Sequence, residues 1–218
     1  MPRKPEHAGI DGRAKPVKPA KPSFIVIEGL DGAGCSTQST LLYEWLNLKG
    51  RRAVLTHEPT SDVIGGLIRS ALKNEWHATP ECLQLLFAAD RSHHLSAEID
   101  PALSKGFSVV CDRYLYSALA YGAVELDYKW ISAVNSSFKE PDVTVFIDVS
   151  PEECLRRTKE SRPSFELFER LEVLKKVALN YKKLAREHSN FHIVNGEQSI
   201  ERVHEAVREI VVKKLKIA

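Results

Sequence analysis

The chain has 218 residues, of which 43% are hydrophobic and 28% charged, with 31 basic and 29 acidic side chains. This length and apolar content suit one globular domain, and they exclude a disulfide-stapled miniprotein and a disordered chain. No apolar run approaches the roughly 18 residues that a membrane span needs, and the first residues lack the apolar segment of a secretory signal. We therefore expect a cytoplasmic protein with no membrane contact.

Residues 1–22 differ in composition from the rest of the chain. They carry six basic and two acidic residues and five of the eleven prolines, whereas the remaining 196 residues carry 25 basic and 27 acidic ones. This composition predicts a solvated, polyproline-like tail that is either an inert leader or a weak tether to an acidic surface or nucleic acid. The domain, residues 23–218, has a net charge of −2 and is not expected to bind nucleic acid.

Short apolar runs alternate with helical segments from Ser23 onward. Helix starts are indicated by Thr79-Pro80 and by the capping box that Ser150 opens, and an apolar stripe marks a last helix between Ile200 and Val211. This alternation predicts an α/β fold, in which a parallel sheet is covered on both faces and ligands bind beyond the carboxyl ends of the strands. Strands are predicted at residues 24–28, 53–57, 108–111, 143–148 and 191–194.

The first predicted strand ends in a glycine-rich loop that matches the phosphate-loop pattern G-x-x-x-x-G-K-[ST] at Gly29, Gly34 and Ser36. Glycines let successive backbone N–H groups curl around phosphate oxygens, and the following helix N-terminus adds positive potential. Ser36 stands where a hydroxyl would bind Mg²⁺. The loop is either a phosphate site or merely a tight turn. Its nucleotide-binding residues would be Gly29, Leu30, Asp31, Gly32, Ala33, Gly34, Cys35, Ser36 and Thr37.

Cys35 occupies the lysine position of that pattern. The missing lysine removes a charge-assisted contact worth about 1.5–3 kcal/mol, and without a replacement the rate would fall by a factor on the order of 10²–10³. Either another cation substitutes or the protein is a poor enzyme. The thiol itself is either a small uncharged filler or, at a helix N-terminus, a group that tends toward thiolate and acts as a redox switch.

Polar residues follow or flank other predicted elements. Asp112 and Arg113 come directly after the third strand, where a carboxylate can hold Mg²⁺ and a guanidinium can bind phosphate, unless the two only form a surface ion pair. Phe87 and Arg91 are four residues apart on one helix face. They would together bind a nucleobase, or they are a core phenylalanine and a solvated arginine.

In chain order, these segments resemble the thymidylate kinase family. The resemblance is carried by FIVIEGLDGAG, HEPTSDVIGGLIR, LLFAADR, VVCDRYLYSALAYGA, EPDVTVFIDVSPEE and VNGEQSIERV, which span Phe24 to Val203. It implies a P-loop kinase fold with a five-stranded parallel sheet, helices on both faces and a short lid. It also implies transfer of the γ-phosphate of ATP to dTMP with Mg²⁺, in a homodimer.

The resemblance implies a role for each matching residue. Phe87 would stack on thymine, and Arg91 would hydrogen-bond its exocyclic oxygen. Tyr121 would crowd the 2′ position and favour deoxyribose. Asp31 would lie near the sugar and the transferring phosphate. Arg69 and Arg113 would hold the dTMP phosphate, Ser36 and Asp112 would order Mg²⁺, and Glu58 and Ser117 would complete the substrate site.

A lid at about residues 156–168 is implied in the same way. It carries Arg156, Arg157, Lys159 and Arg162, a basic cluster that would otherwise be a solvated helix face. Gly32 occupies a loop position that is arginine in one branch of the family, and the branch with glycine there supplies its catalytic arginine from the lid. Arg157 or Arg162 would then neutralise transition-state charge, a role worth up to about 10³–10⁵ in rate.

The sequence departs from the family at Cys35, at His57, where many members have arginine, and at Gly122, where many bacterial members have glutamine. These departures leave two alternatives open: a catalytically impaired homologue that binds dTMP or dTTP, and a related deoxynucleoside kinase. The cysteines show no C-x-x-C spacing, so we expect reduced thiols and no structural zinc. They are Cys35, Cys82, Cys111 and Cys154.

Overall fold

The computed structural model describes residues 21–161 and 170–216. The predicted tail therefore lies outside the described residues apart from positions 21 and 22. The same holds for most of the predicted lid, including Arg162. Within the described segments, no helix is long and apolar enough to cross a membrane.

One parallel sheet forms the centre of the described structure, as predicted. Its spatial strand order is β2-β3-β1-β4-β5. β2 and β4 have the predicted bounds. β1, β3 and β5 each extend one residue further, because Gly29, Asp112 and Asn195 still pair with the neighbouring strand. The strands are β1 (Phe24–Gly29), β2 (Ala53–His57), β3 (Ser108–Asp112), β4 (Val143–Asp148) and β5 (Phe191–Asn195).

Helices cover both faces of the sheet, and the three inner strands are therefore buried along nearly their whole length. α1 and α9 pack together against the sheet, and α5 and α8 form a second packed pair. A π-helical segment at Leu95–Ile99 joins α3 to α4. The helices of the described residues are α1 (Cys35–Leu48), α2 (Val63–Leu72), α3 (Pro80–His94), α4 (Asp100–Ser104), α5 (Leu115–Gly122), α6 (Tyr128–Asn135), α7 (Pro151–Ser161), α8 (Leu171–Glu187) and α9 (Ile200–Leu215).

The predicted N-terminal cap of α3 is confirmed, whereas the capping box predicted for α7 is not formed. Thr79 caps α3 as expected, and its side chain accepts a hydrogen bond from the backbone N–H of Cys82. α7 begins where predicted, but the reciprocal capping box at its start is wrong. The backbone N–H of Ser150 donates to Glu197 at 2.9 Å, while the Glu153 carboxylate binds arginines of its own helix.

The carboxyl ends of β1, β3 and β4 meet at one edge of the sheet. Ile27 pairs with Asp112, and Gly29 pairs with Ile147. Because β1 lies between β3 and β4, the chain reverses its direction of winding there, and such a switch point opens a crevice for a ligand. The residues that follow β1 and β3 therefore face a common space.

Candidate active site

The glycine-rich loop joins β1 to α1 and leaves the N-terminus of that helix uncapped. Gly34 is the N-cap in the left-handed conformation, with φ 97° and ψ 22°, and it provides no side-chain cap. An ideal Cβ at Gly34 would meet nothing within 4 Å. The first N–H groups of α1 thus point into open space, and they can donate to an anion.

Ser36 and Asp112 form a polar pair beside this loop. The Ser36 hydroxyl donates to Asp112 Oδ2 at 2.5 Å, and Asp112 Oδ1 is buried without a hydrogen-bond partner among the described residues. A hydroxyl and a carboxylate at one point are the oxygen donors that Mg²⁺ prefers, and the orphaned oxygen leaves a ligand position free. These two residues therefore fit the predicted magnesium role.

Arg113 crosses from β3 to the loop after β1. Its Nη2 donates to Asp31 Oδ1 at 2.8 Å, and Tyr121 donates to Asp31 Oδ2 at 3.2 Å. Arg113 has φ 66°, a left-handed conformation that costs a non-glycine residue about 1–3 kcal/mol. The strained backbone turns the guanidinium toward Asp31 across the sheet edge. Arg113 therefore pairs with Asp31 inside the crevice while Asp112 binds Ser36, so the alternative of a surface ion pair between Asp112 and Arg113 is wrong.

Glu28 lies below this bridge and was not singled out from the sequence. Its carboxylate accepts hydrogen bonds from the Ser117 hydroxyl at 2.5 Å, from the Tyr181 hydroxyl at 2.9 Å and from the backbone N–H of Tyr114 at 3.1 Å. Complete burial raises the pKa of Glu28 to about 7, against the opposing effects of Ser117 and Arg113. The residue fixes the start of α5, where the predicted substrate residue Ser117 lies.

Arg91 is buried, with 1% of its side chain exposed, so the alternative of a solvated arginine is wrong. Its guanidinium donates to Glu58 Oε2 at 2.8 Å and to Asn135 Oδ1 at 2.5 Å. His94 Nδ1 lies 3.1 Å from the other Glu58 oxygen. The Glu58 carboxylate is thus shared by the Arg91 guanidinium and the His94 ring, and it positions Arg91. No sequence motif indicated His94 or Asn135.

Arg69 and Phe87 lie on the neighbouring helices α2 and α3. Arg69 donates to the backbone carbonyls of Pro59 and Thr60, which hold its guanidinium near the end of β2. Phe87 is half-buried and packs on the small cluster of Ile68, Ala71 and Leu83 between the two helices. Both side chains keep one surface toward the crevice.

A cavity of about 990 Å³ contains almost all of the predicted site. Gly29 and Ala33 do not line it, because they support the loop from behind. His57 lines the cavity as well, with its ring bonded to the carbonyl of Pro59. The predicted residues on its wall are Leu30, Asp31, Gly32, Gly34, Cys35, Ser36, Thr37, Glu58, Arg69, Phe87, Arg91, Asp112, Arg113, Ser117, Tyr121 and Arg157.

Comparison with known proteins agrees with this site. The model of the thymidylate kinase family matches residues 27–207. The chain is 43% identical over 198 residues to a probable thymidylate kinase of Pyrococcus abyssi, and 42% identical to one of Pyrococcus horikoshii. Both alignments cover 88% of this chain and 97% of the relative. The chain belongs to the thymidylate kinase family.

More distant relatives support the same assignment. A probable thymidylate kinase of Methanococcus aeolicus is 38% identical over 200 residues, which cover 88% of this chain and 97% of that protein. The matched region includes the loop, the sheet edge and the start of α9. Membership therefore rests on the whole thymidylate kinase domain and not on one motif.

Cys35 is an inward-facing residue of this thymidylate kinase domain. An ideal Cβ at Gly29 would lie 2.6 Å from Cys35 Sγ, so the thiol packs directly on the loop backbone. Burial raises the pKa of the Cys35 thiol well above its usual range, and the carboxylates of Asp112, Glu28 and Asp31 add to this rise against the opposing effect of Arg113. The raised pKa disfavours the thiolate of the redox-switch alternative, and the buried thiol fits the alternative of a small uncharged filler.

Gly32 lets α7, which carries the start of the predicted lid, approach the phosphate loop. It has φ 86°, and an ideal Cβ there would lie 2.5 Å from the Cys154 carbonyl oxygen and 2.7 Å from Thr158 Oγ1. A side chain at position 32 would push α7 away. The close approach places Arg157 on the cavity wall, where Glu153 holds its Nε at 2.8 Å.

The other predicted lid residues have different positions. Arg156, next to Arg157, is exposed and bound by Glu153 and Glu160 on the surface of α7. Lys159 lies on the same helix, and Arg162 lies outside the described residues. Of the lid arginines that the structure describes, Arg157 is the one that reaches the thymidylate kinase cavity.

Proposed function

We propose that this protein transfers the γ-phosphate of ATP to dTMP and produces dTDP. The observation that carries the proposal is the common cavity. One wall is an uncapped phosphate loop, and the opposite wall carries arginines and an aromatic ring suited to a nucleoside monophosphate. A kinase for two nucleotides needs both walls in one space, because the phosphates must meet in line.

The monophosphate would bind between α2, α3 and α5. Phe87 offers a ring face for the base, and Arg91 offers donors for its exocyclic oxygen. Arg69 and Arg113 line the same wall and would bind the phosphate bidentately. Tyr121, fixed on Asp31, would fill the space beside C2′ and favour deoxyribose.

ATP would bind at the phosphate loop. The uncapped N–H groups of α1 would donate to the β- and γ-phosphates, and Ser36 and Asp112 would hold Mg²⁺. The metal would supply positive charge that neutralises the transferring phosphate. The Asp112 oxygen without a partner and the open N-terminus support this arrangement.

Arg157 would replace the loop lysine that Cys35 lacks. Its place on the cavity wall, across from the loop, is the position from which a guanidinium can stabilise charge on the transferring phosphoryl group. Arg162, the other candidate for this role, lies outside the described residues.

A coupled assay with a panel of nucleoside monophosphates tests the proposal. We expect dTMP to be the preferred acceptor with ATP and Mg²⁺. Arg69→Ala should raise the KM for dTMP by about 10–100-fold, as loss of a charged hydrogen bond does, whereas Lys73→Ala on the exposed end of α2 should not. Turnover of thymidine that survives Arg69→Ala would instead indicate a deoxynucleoside kinase. Binding of dTMP with only background turnover would indicate an impaired homologue.

The proposal includes a homodimer formed through α2 and α3. These helices pack on each other, and they expose the apolar side chains of Val63, Leu67 and Leu85. Such a patch on adjacent helices is typical of an interface between identical subunits. Leu67→Glu should convert the dimer to a monomer in sedimentation analysis, and Leu179→Glu, at an exposed position on α8, should not. A wild-type monomer would contradict this part of the proposal.

A further inference from the structure

Gln84 carries a buried amide whose hydrogen bonds are missing. It lies on α3, one turn before Phe87, and only 4% of the residue is exposed. Its Oε1 is fully buried, and the amide makes no hydrogen bond to any residue that the structure describes. An unpaired buried amide costs about 1–3 kcal/mol, so a partner is expected in the functional state.

The neighbouring helix α5 is shaped around this amide. An ideal Cβ at Gly122 would lie 3.0 Å from Gln84 Cδ and 3.1 Å from its Nε2. Gly122 is the last residue of α5, and its backbone conformation does not require glycine. The Gln84 amide and Ile131 Cδ1, which would lie 2.9 Å from such a Cβ, together leave no room for a side chain at this position.

The Gln84 side chain also lines the cavity that holds the site. Phe87, Arg91 and Tyr121 line the same wall, and Gln84 and Tyr121 separate it from a smaller cavity of about 520 Å³. Because Gln84, Phe87 and Arg91 recur at helical spacing, they share one face of α3. The unpaired amide is therefore beside the ring expected to stack on the base.

We propose that Gln84 recognises the pyrimidine edge of the acceptor, with Oε1 accepting the N3–H of thymine and Nε2 donating to an adjacent carbonyl oxygen. This assignment rests on the proposed function. Arg91 has donors only and cannot accept the N3–H. Each Glu58 oxygen already has a partner, and the Ser117 oxygen accepts from Arg113 at 3.3 Å. Gln84 Oε1 lies on the wall that carries Phe87 and Arg91 and has no hydrogen-bond partner among the described residues, so it is the amide oxygen available to accept the N3–H.

Recognition by this pair also explains discrimination against cytosine. Thymine and uracil present a carbonyl oxygen next to an N3–H, whereas cytosine presents an amino group next to an unprotonated nitrogen. The Gln84 amide can reverse its orientation, but the Arg91 guanidinium cannot become an acceptor. Gln84 therefore contributes affinity for the N3–H, and Arg91 fixes which edge is accepted.

The test compares dTMP with its N3-methyl derivative, which lacks the N3–H. In the wild-type protein, kcat/KM should favour dTMP strongly. Gln84→Leu keeps the side-chain volume, so any steric penalty on the N3-methyl group stays the same. The preference for dTMP over the N3-methyl derivative should nevertheless fall by about 10–100-fold, because one hydrogen bond is lost. The change should appear in KM for the acceptor and in its affinity by calorimetry, with KM for ATP unchanged.

Gln38→Leu is the matched control. Gln38 is also buried with an unpaired Oε1, but it lies on α1 and binds the carbonyl of Ile200. Its replacement should leave the preference unchanged. Gly122→Ala provides a second test, because the added methyl displaces the Gln84 amide without removing it, and it should also lower the preference.

Two results separate the inference from the function on which it rests. If the wild-type protein phosphorylates dTMP but Gln84→Leu and Gly122→Ala both keep the wild-type preference over the N3-methyl derivative, Gln84 does not recognise the base. If the wild-type protein phosphorylates no pyrimidine monophosphate, the proposed function itself is wrong.

Discussion

The two walls of the cavity are built on different principles. The acceptor wall, formed by Glu58, Arg69, Phe87, Arg91 and Arg113, holds its guanidiniums with carboxylates and carbonyls of the protein. The ATP wall, formed by residues 30–32, residues 34–37 and Arg157, has backbone N–H groups and one guanidinium from another element. The acceptor wall is therefore preorganised by buried charges, whereas the ATP wall depends on backbone geometry and on the approach of α7.

This difference explains how the ATP wall tolerates Cys35. Replacement of the lysine removes one cation from the phosphate loop. The backbone N–H groups of the loop keep their direction, because Gly34 and the start of α1 define it. The acceptor wall has no comparable tolerance, because each of its buried charges needs the other. Removing one partner there should affect folding, and removing the cation of the ATP wall should affect the rate.

The largest expected effect is on stability, from Glu58→Ala. The substitution leaves Arg91 and His94 buried without their shared carboxylate, and an uncompensated buried charge costs about 3–5 kcal/mol. Glu98→Ala is the control, since Glu98 also contacts His94 but its side chain is 48% exposed, and it should cost less than about 1 kcal/mol. Urea unfolding measures both, and equal losses would contradict a preorganised acceptor wall.

Arg157→Ala should act on the rate rather than on folding. We expect kcat to fall by about 10²–10³, as for other groups that stabilise transition-state charge, with dTMP affinity unchanged. Arg156→Ala removes the adjacent arginine, which shares Glu153 but lies on the exposed face, and should leave kcat near the wild-type value. Steady-state kinetics of the two variants decide whether the lid supplies the missing cation.

Glu28 lies at the end of β1, between the two walls, and its raised pKa predicts how the stability of the fold depends on pH. Burial raises its pKa to about 7, whereas the unfolded chain has the ordinary value of 4.5. The folded protein therefore binds more protons between these values, and stability is lost as pH rises through this range. The shift corresponds to about 3 kcal/mol, all of it lost above about pH 7.

Glu28→Gln removes this titration but keeps the size of the side chain. As pH rises from about 5 to about 8, the wild type should lose stability relative to Glu28→Gln. Above about pH 8, the difference in their unfolding free energies should be constant. Thermal or urea unfolding at a series of pH values measures this difference. A difference independent of pH would show that Glu28 does not carry the raised pKa.

The sequence predicted those features of the structure that depend on local patterns of residues. The apolar runs gave the strands to within one residue, and the glycine spacing located the loop, because both depend on neighbouring residues only. It did not predict the φ of Arg113, the buried pairing of Arg91 with Asn135, or the unpaired amide of Gln84. These depend on which helices the sheet brings together. The sequence also did not predict that the Cys35 side chain points inward, because this direction depends on the packing of its thiol on Gly29.

Cys35 offers the smallest and most specific test of the ATP wall. Because its thiol is buried and uncharged, Cys35→Ala should leave kcat within about threefold of the wild type, a difference well below 1.4 kcal/mol. Cys35→Lys should raise kcat/KM for ATP, but by less than the roughly tenfold that one charge-assisted contact provides, if Arg157 serves the phosphates as we propose. A large loss in Cys35→Ala would assign chemistry to the thiol. A loss in Cys35→Lys would show instead that the loop backbone has been rebuilt around the small side chain, so that the lysine stem no longer fits beneath Gly29.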